Sequence, residues 1–443
     1  NIGKEKRRDM TVDLSWLATY RSSEPHFGLE RMEAILALRG NPHLVCPVIH
    51  LAGTNGKGST IAHLRSLLEV RGLRVGVFSS PYLVSFNEQI GINGVPISDK
   101  DLEDYLALYR DLLERNSSDQ TLLGLTEFEL ITAMAFDYFS AEKPDVVIME
   151  VGMGGRLDST NVCQPILTAI TTIGLDHVAL LGPDVASIAR EKAGIIKEKI
   201  PVLLGRIELE AQEVIVQEAH RLSAPVEVLG QDFLVCYQES LADGEVFTYQ
   251  SQNRSEVQLK TGLLGIYQVD NAGLALALCD AFFQERGLSL VSQDEIIQAW
   301  SQLQWPGRLE IISTQPLIIL DGAHNPHAVR PLIETLQERY AQLDKQVLFT
   351  CIQTKAIEEM LDLWLELEGS QLTLTTFEDP RAYSVKETQE IALQKGLPHQ
   401  EWKLFLTNYI EKESQQSDLL LVTGSLYFLA QVRAFLIEKI SRR

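Results

Sequence analysis

Short runs of β-branched and aliphatic residues alternate along this chain with longer stretches in which apolar positions recur every three or four residues. That alternation predicts a mostly parallel α/β sheet. Val45–Ala52 reads as a buried strand. After a glycine-rich turn, a helix is predicted from about Ser59 to Arg71, with Ile61, Leu64, Leu67 and Leu68 on one face. Arg74–Phe78, Asp145–Met149, Ile166–Ile173 and Pro201–Leu204 read as further strands. From about Ala224 to Lys260 the pattern is hairpin-like, and an alanine- and leucine-rich helix is predicted near Gln268–Gln284.

Trp305-Pro306-Gly307, within Gln302–Arg308, cannot continue a helix and marks a hinge. Beyond it the rhythm restarts, with strands predicted at Leu317–Leu320, Gln346–Thr350, Leu372–Phe377 and Leu419–Val422. The expected fold is α/β. A large N-terminal P-loop-type parallel-sheet domain over residues 1–303 precedes a smaller C-terminal Rossmann-like α/β domain over residues 304–443.

Composition narrows the function. With 45% apolar and 22% charged residues, the 443-residue chain is globular rather than disordered. Its net charge of −21 repels phosphate backbones and argues against general nucleic-acid binding. An anionic ligand must therefore be met by local cations and backbone N–H groups. Five cysteines, widely spread and never in a CxxC pair, fit a reduced, cytoplasmic protein without a zinc site. The basic stretch Asn1–Arg8 is followed by no hydrophobic segment of signal-peptide type, and the apolar run Leu419–Ala430 is too short to span a bilayer. Met10 is a candidate natural start, with Asn1–Asp9 an upstream extension.

Four constellations carry candidate chemistry. Gly53-Thr54-Asn55-Gly56-Lys57-Gly58-Ser59-Thr60 lies between a strand and a helix, where glycines turn backbone N–H groups inward around an anion. Lys57 adds a point charge and the helix N-terminus its dipole. The spacing is not that of a standard Walker A run, because a glycine separates Lys57 from Ser59. Glu150 ends a strand, where ligands of open α/β sheets collect, and Gly152–Asn161 follows with three glycines, Arg156 and Asp158. His177, after Gly174-Leu175-Asp176, also ends an apolar run; a lone histidine is more often structural than a ligand. Glu150, His177 and a hydroxyl on one sheet edge would suit Mg²⁺ beside phosphates, although imidazole is not its usual ligand. Lys192, in Glu191–Lys197, reads by itself as a solvated helix lysine. Asp321-Gly322-Ala323-His324-Asn325-Pro326 follows a strand of the second domain. It suits half of an interdomain site and equally a helix start capped by Asn325.

Taken together, GTNGKGS at 53–59, EVGMGGRLDSTN at 150–161, LDH at 175–177, EKAGIIK at 191–197, PGRLE at 306–310 and DGAHNP at 321–326 resemble the folylpolyglutamate synthase/dihydrofolate synthase family of the Mur ligase superfamily. The motifs stand in family order over about residues 15–430. Two positions depart from the family pattern: Tyr82 stands where histidine is usual, and Gln89 replaces a basic residue, both on the substrate-side loop. The resemblance implies that Asn55, Gly56, Lys57, Gly58 and Ser59 hold ATP phosphates, and that Asn271, Arg308 and Asp321 contact the nucleotide. It implies Mg²⁺ on Ser80, Glu150 and His177, and a carbamylated Lys192 whose new carboxylate supports the metal. Phe128, Glu129 and Asp158 match the pterin-substrate side, and His324 lies near the reacting groups.

The implied reaction is ATP-dependent joining of L-glutamate to a reduced folate or to dihydropteroate through an acyl phosphate, by a cytoplasmic monomer. A Mur-type peptidoglycan amino-acid ligase shares the fold and mechanism, but the chain has no N-terminal domain of the usual length for a UDP group. A non-catalytic nucleotide switch leaves Arg308, Asp321 and His324 unexplained.

Overall fold

The computed structural model describes residues 12–21, 28–411 and 418–441; Met10 lies outside them. Among the described residues the strands form three sheets. The largest uses β1 (Val48–Ala52), β2 (Val75–Phe78), β3 (Ile90–Ile92), β4 (Val95–Pro96), β5 (Val146–Glu150), β6 (Pro165–Ile170), β7 (Val202–Leu204) and β8 (Val226–Val228). Their spatial order is β4-β3-β2-β5-β1-β6-β7-β8, parallel throughout except for the antiparallel edge strands β3 and β4.

Every residue of β1 and β5 is buried, as a parallel sheet covered on both faces requires. Alternation divides them. Ile49, Leu51, Val146 and Ile148 pack in one core cluster with Leu64, Leu67, Leu68 and Phe282, from helices Lys57–Glu69 and Gln268–Glu285. Val48, Val147 and Met149 pack in another with Phe136 and Phe139 of helix Glu127–Glu142. The hairpin region forms a separate antiparallel sheet of β9 (Phe233–Leu241), β10 (Gly244–Ser251) and β11 (Arg254–Thr261), whose Phe233, Phe247 and Leu259 join the first of these clusters.

Residues 301–309, with Trp305-Pro306-Gly307, lie in neither helix nor strand. After them β12 (Glu310–Thr314), β13 (Leu317–Asp321), β14 (Asp344–Thr350), β15 (Ser370–Leu374) and β16 (Asp418–Gly424) form a third sheet in the order β12-β13-β16-β14-β15, parallel but for edge strand β12. Two departures from the sequence reading matter. The helix after the glycine-rich loop begins at Lys57 rather than Ser59, because Gly56 takes φ +85° and turns the chain straight into it. Strand β6 ends at Ile170, because Thr171 and Thr172 leave the sheet to hydrogen-bond the glycine-rich loop.

The second and third sheets are tied together away from the main crevice. Arg339, the last residue of helix Pro326–Arg339, donates to Glu245 Oε1 of β10 at 2.7 Å and to the Leu241 carbonyl at 2.6 Å, and Glu245 is fully buried. Five free cysteines are present, and no helix among the described residues is long and apolar enough to cross a membrane.

Candidate active site

The strands of the first and third sheets present their carboxyl ends to a common crevice, and the chemistry-bearing residues gather there. The loop after β1 is held from below: Thr54 N–H donates to the Thr172 carbonyl at 2.8 Å and Asn55 N–H to Thr172 Oγ1 at 3.0 Å. Asn271, from helix Gln268–Glu285, covers Gly56 so closely that a Cβ there would lie 2.5 Å from its Oδ1. Asn271 is fixed in turn by donating to Gln268 Oε1 at 2.9 Å. Gly58 faces the indole of Trp305; a Cβ on it would lie 2.9 Å from Nε1. Ser59 is buried in the first turn of the helix. The Asn55 side chain turns toward the C-terminal sheet, where it meets Asn325 and His327.

Lys57 is central. Its Nζ donates to the Gly53 carbonyl at 2.9 Å and lies 4.0 Å from Glu150 Oε1. Glu150 is buried and accepts the Ser80 N–H at 3.1 Å; burial raises its pKa, with the Lys57 charge opposing. His177 follows on the next loop, its Nε2 3.3 Å from Lys355 Nζ, and burial pushes its pKa down to about 4. A neutral imidazole and a buried carboxylate, its charge offset by Lys57 at 4.0 Å, the Ser80 N–H and Arg308, form a donor set that a divalent cation can join, with Ser80 adjoining Glu150. No cluster of three His, Cys, Asp or Glu side chains occurs among the described residues, so a magnesium ion here would keep waters or phosphate oxygens as further ligands.

Lys192 is not the solvated lysine its sequence context suggests. It is buried on helix Val185–Ala193, and burial together with the nearby Lys57 charge pushes its pKa down to about 7. A large fraction of this amine is therefore neutral near pH 7.

The third sheet contributes from above. His324 Nδ1 meets the Gly322 carbonyl at 2.8 Å, and burial pushes its pKa down to about 3. Asp321 accepts N–H groups from Leu309 and Ala323, each at 2.9 Å, and the Tyr267 hydroxyl at 3.3 Å. Arg308 lies alongside and opposes the rise that burial gives the Asp321 pKa.

Two residues without an assigned role in the sequence reading complete the centre. Asp176 Oδ1 accepts Lys355 Nζ at 2.6 Å, while its Oδ2 accepts Asn325 Nδ2 at 3.1 Å and lies 3.7 Å from His324 Nε2. Burial works against the Asp176 charge, but Lys355, His177 and His324 together hold its carboxyl well below the usual range. The signal for Lys355 was its place just past the carboxyl end of β14, where parallel sheets collect ligands.

On the other side of β5, Phe128 lies against Gly152, where a Cβ would meet its ring at 2.5 Å, and tilts against Phe78. Glu129 forms a capping box with Thr126 and accepts Arg31 Nε at 2.9 Å. Asp158 folds the glycine-rich loop back on itself, accepting N–H groups from Met153 at 2.9 Å and Thr160 at 3.0 Å. The structure thus groups Lys57, Ser80, Glu150, His177, Lys192 and His324 around the crevice, while the carboxylates of Glu129 and Asp158 are engaged within the protein. Of the two departures from the family pattern, Tyr82 stacks edge-on with Phe86 and Gln89 is buried. The adjoining Leu83 packs into the C-terminal core, carrying the substrate-side loop to the crevice wall.

Residues 51–279 match the Mur ligase middle domain and residues 307–426 the Mur ligase glutamate ligase domain. The chain is 38% identical, over 92% of its length and 94% of the relative's, to the dihydrofolate synthase/folylpolyglutamate synthase of Bacillus subtilis. The solved apo form of L. casei folylpolyglutamate synthase superposes with a TM-score of 0.83 at 32% identity, over 96% of this chain and 98% of that one. A solved folylpolyglutamate synthase complex with AMPPCP and folate gives 0.81 at 32% identity, over 96% and 99%.

Proposed function

Because this chain belongs to the folylpolyglutamate synthase/dihydrofolate synthase family of Mur ligases, we propose that it is an ATP-dependent ligase that adds L-glutamate to a folate, and to dihydropteroate as well. The observation that carries this is the convergence of Lys57 and Lys355 on one crevice of a chain with net charge −21. Such a cluster suits transfer between anions that the rest of the surface repels.

In this scheme the loop Asn55–Ser59 holds the ATP phosphates, and Asn271, Arg308 and Asp321 line the nucleotide. The folate carboxylate attacks the γ-phosphate, forming a C–O–P acyl phosphate as the bond to ADP breaks. Lys57 stabilises charge on the transferred group. The glutamate amine then attacks the acyl carbon near His324, phosphate leaves, and the amine proton is lost to solvent. Mg²⁺ bound to Glu150, His177 and Ser80 would supply positive charge to the phosphate oxygens. Phe128 packs the pterin side, with Glu129 and Asp158 shaping its loop and helix start. Closing the crevice between the sheets keeps water from the acyl phosphate.

A neutral Lys192 can react with CO₂ to give a carbamate and a proton, placing a carboxylate beside Lys57. Residues 1–303 act as the ATP-binding ligase domain and 304–443 as the glutamate-ligase domain; the gap between matches at 279 and 307 supports that division. The ligase works as a cytoplasmic monomer, and its free cysteines support a reduced compartment. The test is ADP release by purified protein. It should require glutamate together with tetrahydrofolate or dihydropteroate, and turnover only with a UDP-linked muropeptide would overturn the proposal.

A further inference from the structure

The phosphate loop is gripped from the opposite domain. Asn325 and Asn55 form a reciprocal amide pair: Asn55 Nδ2 donates to Asn325 Oδ1 at 3.1 Å, and Asn325 Nδ2 donates to Asn55 Oδ1 at 3.0 Å. The second Asn55 N–H donates to His327 Nδ1 at 3.0 Å. Asn325 is 1% exposed and also caps its helix, its Oδ1 accepting the Ala328 N–H at 2.9 Å. The His327 ring rests on Gly174, where a Cβ would lie 2.5 Å from Cγ, and Gly174 exchanges two hydrogen bonds with the Thr54 hydroxyl, which donates to the Gly174 carbonyl at 3.2 Å and accepts the Gly174 N–H at 3.0 Å. Both N–H donors of the Asn55 side chain are thereby committed to the C-terminal domain, and neither is left for a phosphate.

We propose that Asn325 and His327 are positioning residues that set the shape of the phosphate loop through Asn55, so that the loop is complete only when the C-terminal domain is docked on it. Neither residue needs to touch nucleotide for this. Burial lowers the pKa of His327, which leaves Nδ1 free to accept from Asn55. The consequence for ATP binding rests on the proposed reading of the loop as the ATP phosphate site. The consequence for loop order does not.

Two variants of the full chain separate the contributions. Asparagine places an oxygen where His327 Nδ1 stands, so His327→Asn keeps the acceptor, whereas His327→Leu keeps bulk over Gly174 and removes it. Hydrogen exchange of the ligand-free protein should show the amides of residues 53–59 exchanging about fivefold faster in H327L, the effect of one hydrogen bond of ordinary net strength. In H327N they should exchange as in the wild type. Affinity for AMPPCP with Mg²⁺ should fall by a similar factor in H327L alone. Unchanged loop exchange in H327L, equal acceleration in both variants, or faster exchange with unaltered AMPPCP affinity would overturn the proposal. A wild-type protein that binds no AMPPCP would instead remove the ATP reading, while the exchange comparison still decides the role of the clasp.

Discussion

Asp176 and Lys355, 179 residues apart in sequence, form an ion pair of 2.6 Å across the crevice, with side chains 10% and 5% exposed. Breaking one side of a buried pair leaves an uncompensated charge, which typically costs about 3–5 kcal/mol. Lys355→Met should therefore lower the unfolding free energy by that order and abolish turnover. The double variant with Asp176→Asn should recover much of the stability without the activity. Denaturant titration and ADP-release assays on the four proteins of the cycle give the comparison; a single variant of wild-type stability would show that the pair is not closed in solution.

Lys57→Ala should leave the fold intact, because the side chain lies in the crevice and its loop is held by Thr171, Thr172 and Asn271. Loss of one preorganised charge at the transferred phosphoryl should lower kcat by about 10²–10³. Circular dichroism with steady-state kinetics checks both halves, and near-normal kcat would contradict the role given to this lysine.

Glu150→Gln keeps the shape that accepts the Ser80 N–H but removes the charge. Activity should then need at least tenfold more magnesium, read as the midpoint of rate against metal concentration. Since the carboxylate's pKa is raised by burial, removing its charge should not destabilise the fold. An unchanged magnesium midpoint would remove Glu150 from the metal site.

Lys192 links pH to both modification and stability. Its folded pKa, about 7, lies below the ordinary lysine value, so the unfolded chain binds more protons between about pH 7 and 10.5. Stability from this group should rise with pH across that window, and the unfavourable contribution is fully present below it. Lys192→Met should accordingly be more stable than the wild type near pH 6, an advantage that fades toward pH 10. Carbon-13 NMR after labelled bicarbonate should show a carbamate signal in the wild type that grows as pH rises through 7 and is absent from the variant. Lys192→Ala should lose most activity, and a short carboxylic acid should restore part of it.

Much of the frame was legible because parallel strands buried on both faces announce themselves as nearly continuous apolar runs, as Val146–Met149 does and Val48–Ala52 does but for His50. The glycine-rich loop was legible because its strand and helix flank it on both sides. Lys355 was not, since a single lysine in a polar turn carries no sign of a partner 179 residues away. Nor was the burial of Lys192, which directly follows the charged Arg190 and Glu191 on its helix. The direction of the Asn55 side chain depends on a domain contact that no local pattern encodes. Glu129 shows the converse: the resemblance put it on the pterin-substrate side, whereas its carboxylate accepts the Thr126 N–H and hydroxyl in a capping box.

Helix Pro326–Arg339 begins at the phosphate-loop clasp and ends at the buried Arg339–Glu245 pair. Fourteen residues at 1.5 Å each make it a strut of about 20 Å. A rod pinned at its far end can swing but cannot slide, so Arg339 serves as a fulcrum and small rotations there become ångström-scale travel at Asn325. Arg339→Lys, which removes the forked grip on Glu245 and the Leu241 carbonyl, should broaden the distribution of distances between spin labels placed on the two domains, although nothing at the crevice has changed. A distribution as narrow as that of the wild type would mean that the pivot lies elsewhere.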